Sequence, residues 1–398
     1  MFRHGCTTAA IALASLAFLL AGHFLVLQRS EPASEEFLRI RGDSIEYLRM
    51  AEGEKSVPSP FRYRVLVPAV VSWLPLDARA GFLLLSYSSL FFSCFVLGLI
   101  LKKLGLGAWG LPSGLFVFIF SEATLYQFHN PYLADAAGTF FLFLLFLAAL
   151  DGRAILFAGA VTAGLLCREA TLFAVPIYAA TRRLRAFVAI LLAGAAVFLL
   201  PRALSGAAGS EGQYFAAYLE SARELGRLSR LDNYVRSVFY TWDVVWFLAA
   251  LGFLFAGKRA LLLLLLALLS LAAGAFLSGI VTTDIGRMFS LVAPPLVCLS
   301  AFTLERVRAR SLAAWSLVLA FVAWRAMFSV PTVLNPTEYA LSGLEAGRRI
   351  LGVACLIVSA VVLVALRSDI RNAFQNKALR GGLALSMLLF GVLVLYLT

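Results

Sequence analysis

The chain has 398 residues, of which 61% are hydrophobic and 14% are charged, and its mean hydropathy is +0.89. A soluble protein of this length needs far more polar surface to cover its core, so the composition excludes a soluble globular protein. The formal net charge of +12 raises the question of a nucleic-acid partner, and the answer depends on where the charges lie.

The predicted elements, in chain order, are transmembrane helices separated by short polar loops. A helix of about 20 residues crosses the ~30 Å hydrocarbon core of a bilayer, and apolar runs near that length recur throughout the chain. They predict an all-α polytopic bundle of about 13 spans. The spans lie at residues 7–27, 80–101, 108–121, 133–150, 154–167, 170–180, 184–201, 242–256, 260–280, 288–304, 311–328, 348–366 and 381–397. The pair around 154–180 is also compatible with a re-entrant segment or one broken hairpin.

The orientation follows from the charges of the alternating loops. One set of loops carries 16 of the 34 basic residues but only Asp151, Glu305 and Asp369 among the 22 acidic ones. Cytoplasmic loops are enriched in Lys and Arg, so the basic excess reports topology and not a nucleic-acid partner. The first apolar segment is longer than the apolar part of a signal peptide, and AGH is a poor cleavage site. We therefore predict a retained first helix in a bacterial inner membrane, with a cytoplasmic amino terminus.

The predicted external face carries the long loops. Residues 28–79 and 202–241 are the two large external segments, and within them residues 34–52 and 213–228 have the spacing of amphipathic interfacial helices. Long loops on a rigid scaffold commonly carry function, so this face is the predicted functional face.

Polar groups collect beside apolar runs on that same face. They are Asp43, Arg62, Arg64, Glu122, His129, Asn130, Asp135, Arg168, Glu169, Asp284 and Arg287. An ionisable group at membrane depth costs about 2.5–3.5 kcal/mol, so such groups usually face a protein interior or a watery cavity. The pattern predicts that these clusters meet in one outward-facing cavity.

Each cluster also has a simpler local interpretation. Arg168 and Glu169 are compatible with a hairpin tip held by local pairing, and Asp284 and Arg287 with an i,i+3 ion pair. Arg62 and Arg64 are compatible with interfacial anchors, and Asp135 with a helix cap. The five cysteines show no disulfide or zinc spacing and are predicted to be small core residues.

The stretches GDSIEYLRMAEG with PFRYRVLVP, and YLADAAGTFF with CREATLFAVP, carry a family resemblance. The chain resembles the GT-C superfamily, polytopic glycosyltransferases that take sugars from polyprenyl-phosphate donors, such as protein O-mannosyltransferases and aminoarabinose transferases. The resemblance implies a catalytic module over residues 1–304 and additional transmembrane helices over 305–398. Many relatives carry paired acids in the first loop, whereas here Asp43 is followed by Ser44 and then Glu46.

The resemblance implies roles that the residue chemistry fits. Asp43, with Asp135 next, suits a base that takes the acceptor hydroxyl proton. Arg62, Arg64, Arg168 and Arg287 suit a departing phosphate, with Arg168 and Arg287 preferred because they adjoin apolar helices. The other predicted substrate-binding residues are Asn130, Glu169 and Asp284. The predicted partners are the donor, a glycan, lipid or protein acceptor, and membrane lipids; the sequence leaves the sugar, the acceptor and any divalent metal open.

Other classes compete with this interpretation. A secondary transporter typically shows internal repeats and charged residues near the bilayer midplane, and neither feature is evident in the sequence. A ligase, polymerase or flippase acting on lipid-linked glycans shares the external loop and the use of Arg, and a structural or assembly role is a further alternative.

Overall fold

The computed structural model describes residues 2–29, 43–54, 57–58, 60–181, 183–204, 241–281, 285–329 and 344–373. It also describes residues 220, 235, 238, 239, 382, 389 and 390. Within these residues every regular element is a helix, which confirms the predicted all-α class.

The α-helices of the first half of the chain are α1 (Phe2–Arg29), α2 (Asp43–Ala51), α3 (Leu66–Trp73), α4 (Ala78–Lys103), α5 (Gly110–Ile119), α6 (Glu122–His129), α7 (Asp135–Asp151), α8 (Ala154–Cys167) and α9 (Leu184–Leu204). Those of the second half are α10 (Val244–Gly252), α11 (Lys258–Val281), α12 (Ile285–Phe289), α13 (Ala293–Arg310), α14 (Leu312–Ser329), α15 (Leu344–Ala365) and α16 (Arg367–Ala373). Short 3-10 helices lie at Phe61–Tyr63, Glu169–Thr181 and Ser290–Val292.

Three helical stretches are long and apolar enough to cross a membrane, namely Ala78–Lys103, Ala260–Gly279 and Arg287–Arg310. Shorter apolar helices of 10–17 residues lie between and beside them. The prediction of a helical membrane protein is therefore confirmed in its coarse form, and the predicted number of spans is not confirmed. The predicted span 381–397 lies outside the described residues apart from 382, 389 and 390.

Two predicted spans differ from the structure for local reasons. The span predicted at 108–121 ends at Ile119, and a new helix begins at Glu122 because Ser121 Oγ accepts a hydrogen bond from the Thr124 amide at 3.3 Å. The span predicted at 170–180 is a 3-10 helix that contains Pro176, which has no amide hydrogen to donate. The predicted module boundary at 304–305 falls inside α13.

One end of the bundle gathers most of the basic residues that the sequence assigns to the cytoplasm. There Lys103 Nζ lies 2.7 Å from Asp151, the Gly107 amide donates to Glu305 at 2.6 Å, and Arg310 bonds Asp369 twice at 2.8 Å. We call this the basic end. Its described basic residues are Lys102, Lys103, Arg153, Arg183, Arg185, Arg306, Arg308, Arg310, Arg367 and Arg371.

The opposite end, which we call the site end, is organised by α2. Ser44, Tyr47 and Leu48 are the buried residues of this helix, and their i, i+3, i+4 spacing forms one apolar face. That face packs on a buried cluster that includes Val67, Val71, Phe82, Tyr126, Tyr132 and Leu133. Because α2 is held in this way, the direction of Asp43 at its first turn is fixed.

The cysteine prediction is confirmed where the structure describes it. Cys94, Cys167, Cys298 and Cys355 are free and buried within the described part of the chain. Cys6 lies in α1, but its side chain is outside the described residues.

Helices α10 and α13 approach each other closely at Gly252. A Cβ atom added there would lie 2.1 Å from the backbone oxygen of Leu299, which is fixed within α13 and cannot move aside. We expect Gly252→Ala to destabilise the protein by at least about 1–3 kcal/mol. Thermal unfolding in detergent measures this, with Gly257→Ala as the control because nothing lies within 4 Å of a Cβ at that glycine. Equal thermal unfolding midpoints for the two variants would contradict the close approach of α10 and α13 at Gly252.

Candidate active site at the site end of the bundle

Four charged residues predicted from separate parts of the sequence meet in one network. Arg287 Nη1 donates to Asp43 Oδ2 at 2.6 Å, and its Nε and Nη2 contact Asp135 Oδ2 at 2.9 and 2.7 Å. Arg168 donates to the other oxygen of Asp135 and, through Nη2, to Met288 Sδ at 3.0 Å. We call Asp43, Asp135, Arg168 and Arg287 the Asp135 network. It joins α2, α7, α12 and the end of α8.

The contacts in this network contradict two of the local interpretations, namely the helix cap at Asp135 and the pairing of Arg168 with Glu169. Asp135 is the first residue of α7 but makes no capping bond, since the N-cap position is Ala134 and both carboxylate oxygens face arginines. Arg168 pairs across the bundle with Asp135, and its neighbour Glu169 pairs elsewhere. Asp284 lies outside the described residues, so the predicted pair with Arg287 has no structural account.

A second network lies beside the first. Arg64 Nε donates to Glu169 Oε2 at 2.9 Å, and Arg64 Nη1 donates to the Tyr47 hydroxyl at 3.0 Å. Arg202 Nη2 reaches Glu169 Oε1 at 3.4 Å. We call Tyr47, Arg64, Glu169 and Arg202 the Glu169 network. It adjoins the Asp135 network because Asp43 and Tyr47 are one turn apart on α2 and residues 168 and 169 are consecutive.

Burial and neighbouring charges shift the pKa of two groups in the Glu169 network, Tyr47 and Arg64. Burial raises the pKa of Tyr47, so its hydroxyl stays protonated at neutral pH and accepts from Arg64. Burial alone would lower the pKa of Arg64, but Glu169 and Tyr47 raise it above its ordinary range. The Arg64 guanidinium is therefore a fixed cation.

Aromatic faces hold further guanidinium groups at this edge. Arg202 lies over the rings of Tyr63 and Phe198, 4.3 and 3.9 Å from their centroids. Arg62 lies 4.9 Å from the Tyr63 ring centroid and donates to the Tyr63 hydroxyl at 2.7 Å. Such stacking holds each arginine in place at this edge. Arg62 and Arg64 thus contact protein groups, which argues against the anchor interpretation.

The two networks differ in access to solvent. The side chains of Asp135, Arg168 and Arg287 are 3%, 7% and 8% exposed, whereas that of Asp43 is 36% exposed. Arg64 and Arg202, at 14% and 18%, lie between these limits. Asp43 is therefore the solvent-accessible carboxylate of the site, and Asp135 is the buried carboxylate that shares Arg287 with it.

Within the two networks and the Arg62–Tyr63 contact beside them, guanidinium groups outnumber carboxylates. Three acids, Asp43, Asp135 and Glu169, face the guanidinium groups of Arg62, Arg64, Arg168, Arg202 and Arg287. A cluster of partly buried guanidinium groups is suited to an anion with several oxygens.

Asn130 does not join either network in the described residues. Its side-chain amide donates to the Tyr126 carbonyl at 3.2 Å and closes the end of α6. This contact gives Asn130 a local structural role.

Three further charged residues meet deeper in the bundle. Arg325 Nη2 lies 2.7 Å from Glu122 Oε2, and Arg325 Nε lies 3.3 Å from Asp243 Oδ2. Helix rise places this triad about 15–20 Å from the basic end, because Glu122 and Arg325 each lie 12–13 residues beyond it. Asp243 has a positive φ of 33° and caps α10 through the Val244 amide at 2.5 Å. Glu122, grouped by sequence with the external face, therefore belongs to this deeper triad.

Residues that sequence analysis did not select include Tyr47, Tyr63, Arg202 and Arg325. Arg325 lies inside the span predicted at 311–328, where a single charge in an apolar run is itself a signal of a buried partner. Arg202 begins the predicted second external loop, but nothing in the sequence connects it with Tyr63 or Glu169.

No group of three or more His, Cys, Asp or Glu side chains that could hold a metal lies among the described residues. No protein-family model matches the chain, and no curated protein or solved structure matches it.

Proposed function

We propose that the chain is a membrane glycosyltransferase that moves a sugar from a polyprenyl-phosphate donor to an acceptor hydroxyl outside the cytoplasm. The observation that carries the proposal is one half-open carboxylate, Asp43, placed beside buried guanidinium groups at one end of an apolar helical bundle. A base next to a site for an anionic leaving group is the pair of functions that this reaction needs. The GT-C likeness of the sequence points the same way.

The proposed reaction forms one bond and breaks one bond at the anomeric carbon, and it moves one proton. The acceptor oxygen attacks the anomeric carbon of the donor sugar while the bond from that carbon to the phosphate oxygen breaks. Asp43 takes the proton of the acceptor hydroxyl, and the bonding electron pair leaves with the phosphate. Arg287 holds Oδ2 of Asp43 at 2.6 Å and so fixes the direction of the carboxylate.

The Glu169 network supplies the phosphate side of the site. Arg64 and Arg202 both contact Glu169, and Arg62 adds a third guanidinium on the Tyr63 ring, so three guanidinium groups meet at this edge. A planar guanidinium binds two phosphate oxygens at once and stays charged at low dielectric. We assign the donor phosphate to Arg62, Arg64 and Arg202.

Arg168 and Arg287, which the sequence favoured as phosphate ligands, take a different role in this proposal. Both are less than 9% exposed, and both contact Asp135. We assign Asp135, Arg168 and Arg287 as positioning residues that hold Asp43 and the start of α7 in place.

Donor titration of purified variants tests the phosphate assignment. We expect Arg64→Lys to weaken the apparent affinity for polyprenyl-phosphate sugars by about 10-fold or more, because a charged hydrogen bond contributes about 1.5–3 kcal/mol. Arg79→Lys is the matched control, since Arg79 is an exposed arginine of the same end that follows the Asp77 cap of α4. If Arg64→Lys and Arg79→Lys titrate alike, Arg64 is not a donor ligand.

The finer topology belongs to the same proposal. The basic end faces the cytoplasm, the site end faces outside the inner membrane, and the shorter apolar helices complete about 13 crossings. In a cysteine-free background, we expect Glu52→Cys to react with an impermeant thiol reagent added to intact cells, and Ala108→Cys to react only after lysis. Both positions are exposed, at the site end and the basic end respectively. The reverse labelling pattern would overturn the orientation.

A second candidate is a secondary transporter, and the Glu122–Arg325–Asp243 triad favours it. Transporters place charged residues of interrupted helices near the bilayer midplane, and the triad joins the break between α5 and α6 to the start of α10. The two functions separate in proteoliposomes. A transporter moves a labelled substrate across the sealed bilayer without an acceptor, whereas the transferase releases polyprenyl phosphate. Ligases and polymerases of lipid-linked glycans also use an external site, so only the identity of the acceptor distinguishes them from the transferase.

A further inference from the structure

The basic end has more positive charge than its own acids neutralise. Its described acids are Asp151, Glu305 and Asp369, and each is already engaged: Asp151 with Lys103 and Arg153, Glu305 with the Gly107 amide, and Asp369 with Arg310. Ten basic residues share this end with those three acids. The excess is a topological signal, but it also leaves particular guanidinium groups without an acidic partner.

Arg308 is the most distinctive of these groups. Its Nε is buried and has no hydrogen-bond partner within the described part of the chain. Its guanidinium lies over the Trp109 ring, 4.6 Å from the ring centroid. The enclosed Nε is out of reach of a group outside the chain, so an external acceptor would bind at the terminal Nη atoms, which no described acid engages.

Aromatic residues fix the place of that acceptor. Trp109 packs edge-on against Trp315, with 5.5 Å between ring centroids, and Trp315 Nε1 donates to Ser113 Oγ at 3.0 Å. Trp109 is itself 46% exposed. Exposed tryptophans next to basic residues are typical of the level where lipid headgroups meet the hydrocarbon.

Helix α14, which carries Trp315, also has exposed leucines. Leu312, the first residue of that helix, is 54% exposed, and Leu317 is 41% exposed. A free phosphate would use only the guanidinium. A phospholipid would use the guanidinium for its phosphate and the leucines for its acyl chains.

We propose that Arg308, Trp109 and the adjoining exposed face of α14 form a binding site for one anionic phospholipid of the surrounding bilayer. The lipid phosphate accepts hydrogen bonds from the Arg308 guanidinium, which is held in place by stacking on the Trp109 ring. The acyl chains lie along Leu312 and Leu317. The site is at the opposite end of the bundle from Asp43, so its occupancy is independent of the donor site.

Native mass spectrometry of the detergent-purified protein tests the site. The probes are phosphatidylglycerol and phosphatidylcholine with identical acyl chains. We expect the wild-type protein to prefer phosphatidylglycerol, and Arg308→Gln to lower that preference by about fivefold, since one basic residue at a membrane surface contributes that much. Arg308→Lys should retain part of the preference. Trp109→Leu should lower it as well, which keeps the test valid if Arg308→Gln folds poorly.

Arg371→Gln is the matched control, because it removes the same charge from an exposed position of the same end. Equal losses in Arg308→Gln and Arg371→Gln would show diffuse attraction and overturn the site. Equal binding of the two lipids by the wild-type protein would also overturn it. Binding of glycerol phosphate as tightly as phosphatidylglycerol would show a site for a soluble anion and refute the lipid assignment.

Discussion

Asp43→Asn should lower the rate of sugar transfer by about 10²–10⁴-fold, the usual contribution of a general base. Asparagine keeps the size of the side chain and can still accept a hydrogen bond from Arg287 at the position of Oδ2. It cannot take the acceptor proton. The rate is measured with purified protein, a panel of polyprenyl-phosphate hexoses and pentoses, and envelope extract as acceptor.

The control for this substitution is Glu52→Gln. Glu52 follows α2 directly, is exposed, and undergoes the same chemical change without belonging to either network. We expect Glu52→Gln to transfer sugar at the wild-type rate. Near wild-type transfer by Asp43→Asn, at normal expression, would remove Asp43 as the base.

Asp135→Ala has the second large expected effect, and it falls on stability. The Asp135 side chain is 3% exposed and separates Arg168 from Arg287, so its loss leaves two buried guanidinium groups facing each other. Removing one partner of a buried ion pair typically costs about 3–5 kcal/mol. Thermal unfolding in detergent should therefore show a strongly lowered midpoint for this variant.

Asp77→Ala is the matched control for Asp135→Ala. Asp77 is a surface carboxylate of the same end that caps α4 through the Ala80 amide at 3.0 Å, and losing such a cap costs only about 0.5–2 kcal/mol. A folded Asp135→Ala protein with wild-type stability but no transfer would contradict the positioning role. That result would make Asp135 the base, which is the alternative the sequence left open.

Apolar runs in the sequence predict helices because a segment that crosses a bilayer must satisfy its backbone hydrogen bonds within itself. The runs predicted at 80–101, 260–280 and 288–304 overlap the three helical stretches of spanning length. The interruption between α5 and α6 was not predicted. Its cause is one hydrogen bond from the Thr124 amide to Ser121, which no hydropathy window detects.

Sequence analysis selected the four residues of the Asp135 network but not the ion pairs between them. Depth relative to the membrane correctly grouped Asp43, Asp135, Arg168 and Arg287, since a charge at membrane depth needs a partner. The partners themselves depend on helix packing across 33 to 244 positions of the chain, which local spacing does not report. Arg168 beside Glu169 is the clearest case, because consecutive residues there point into different networks.

Binding at the two proposed anion sites can be tested separately, because the sites depend on different residues. The donor site depends on Arg64 and its neighbours at the site end, whereas the lipid site depends on Arg308 at the basic end. A polyprenyl phosphate is itself an anionic lipid, so measurements of its binding need both variants. Arg308→Gln removes the lipid site without touching the Glu169 network.

Equilibrium binding of a polyprenyl phosphate to the Arg308→Gln protein, compared with the polyprenol of equal chain length, tests the central claim most directly. Both ligands present the same hydrocarbon, so their difference reports the phosphate alone. We expect the phosphate to bind at least about tenfold more tightly than the polyprenol, and this preference to be lost when Arg64→Lys is added. Equal affinity of the two ligands, or a preference unchanged by Arg64→Lys, would contradict a polyprenyl-phosphate site beside Asp43.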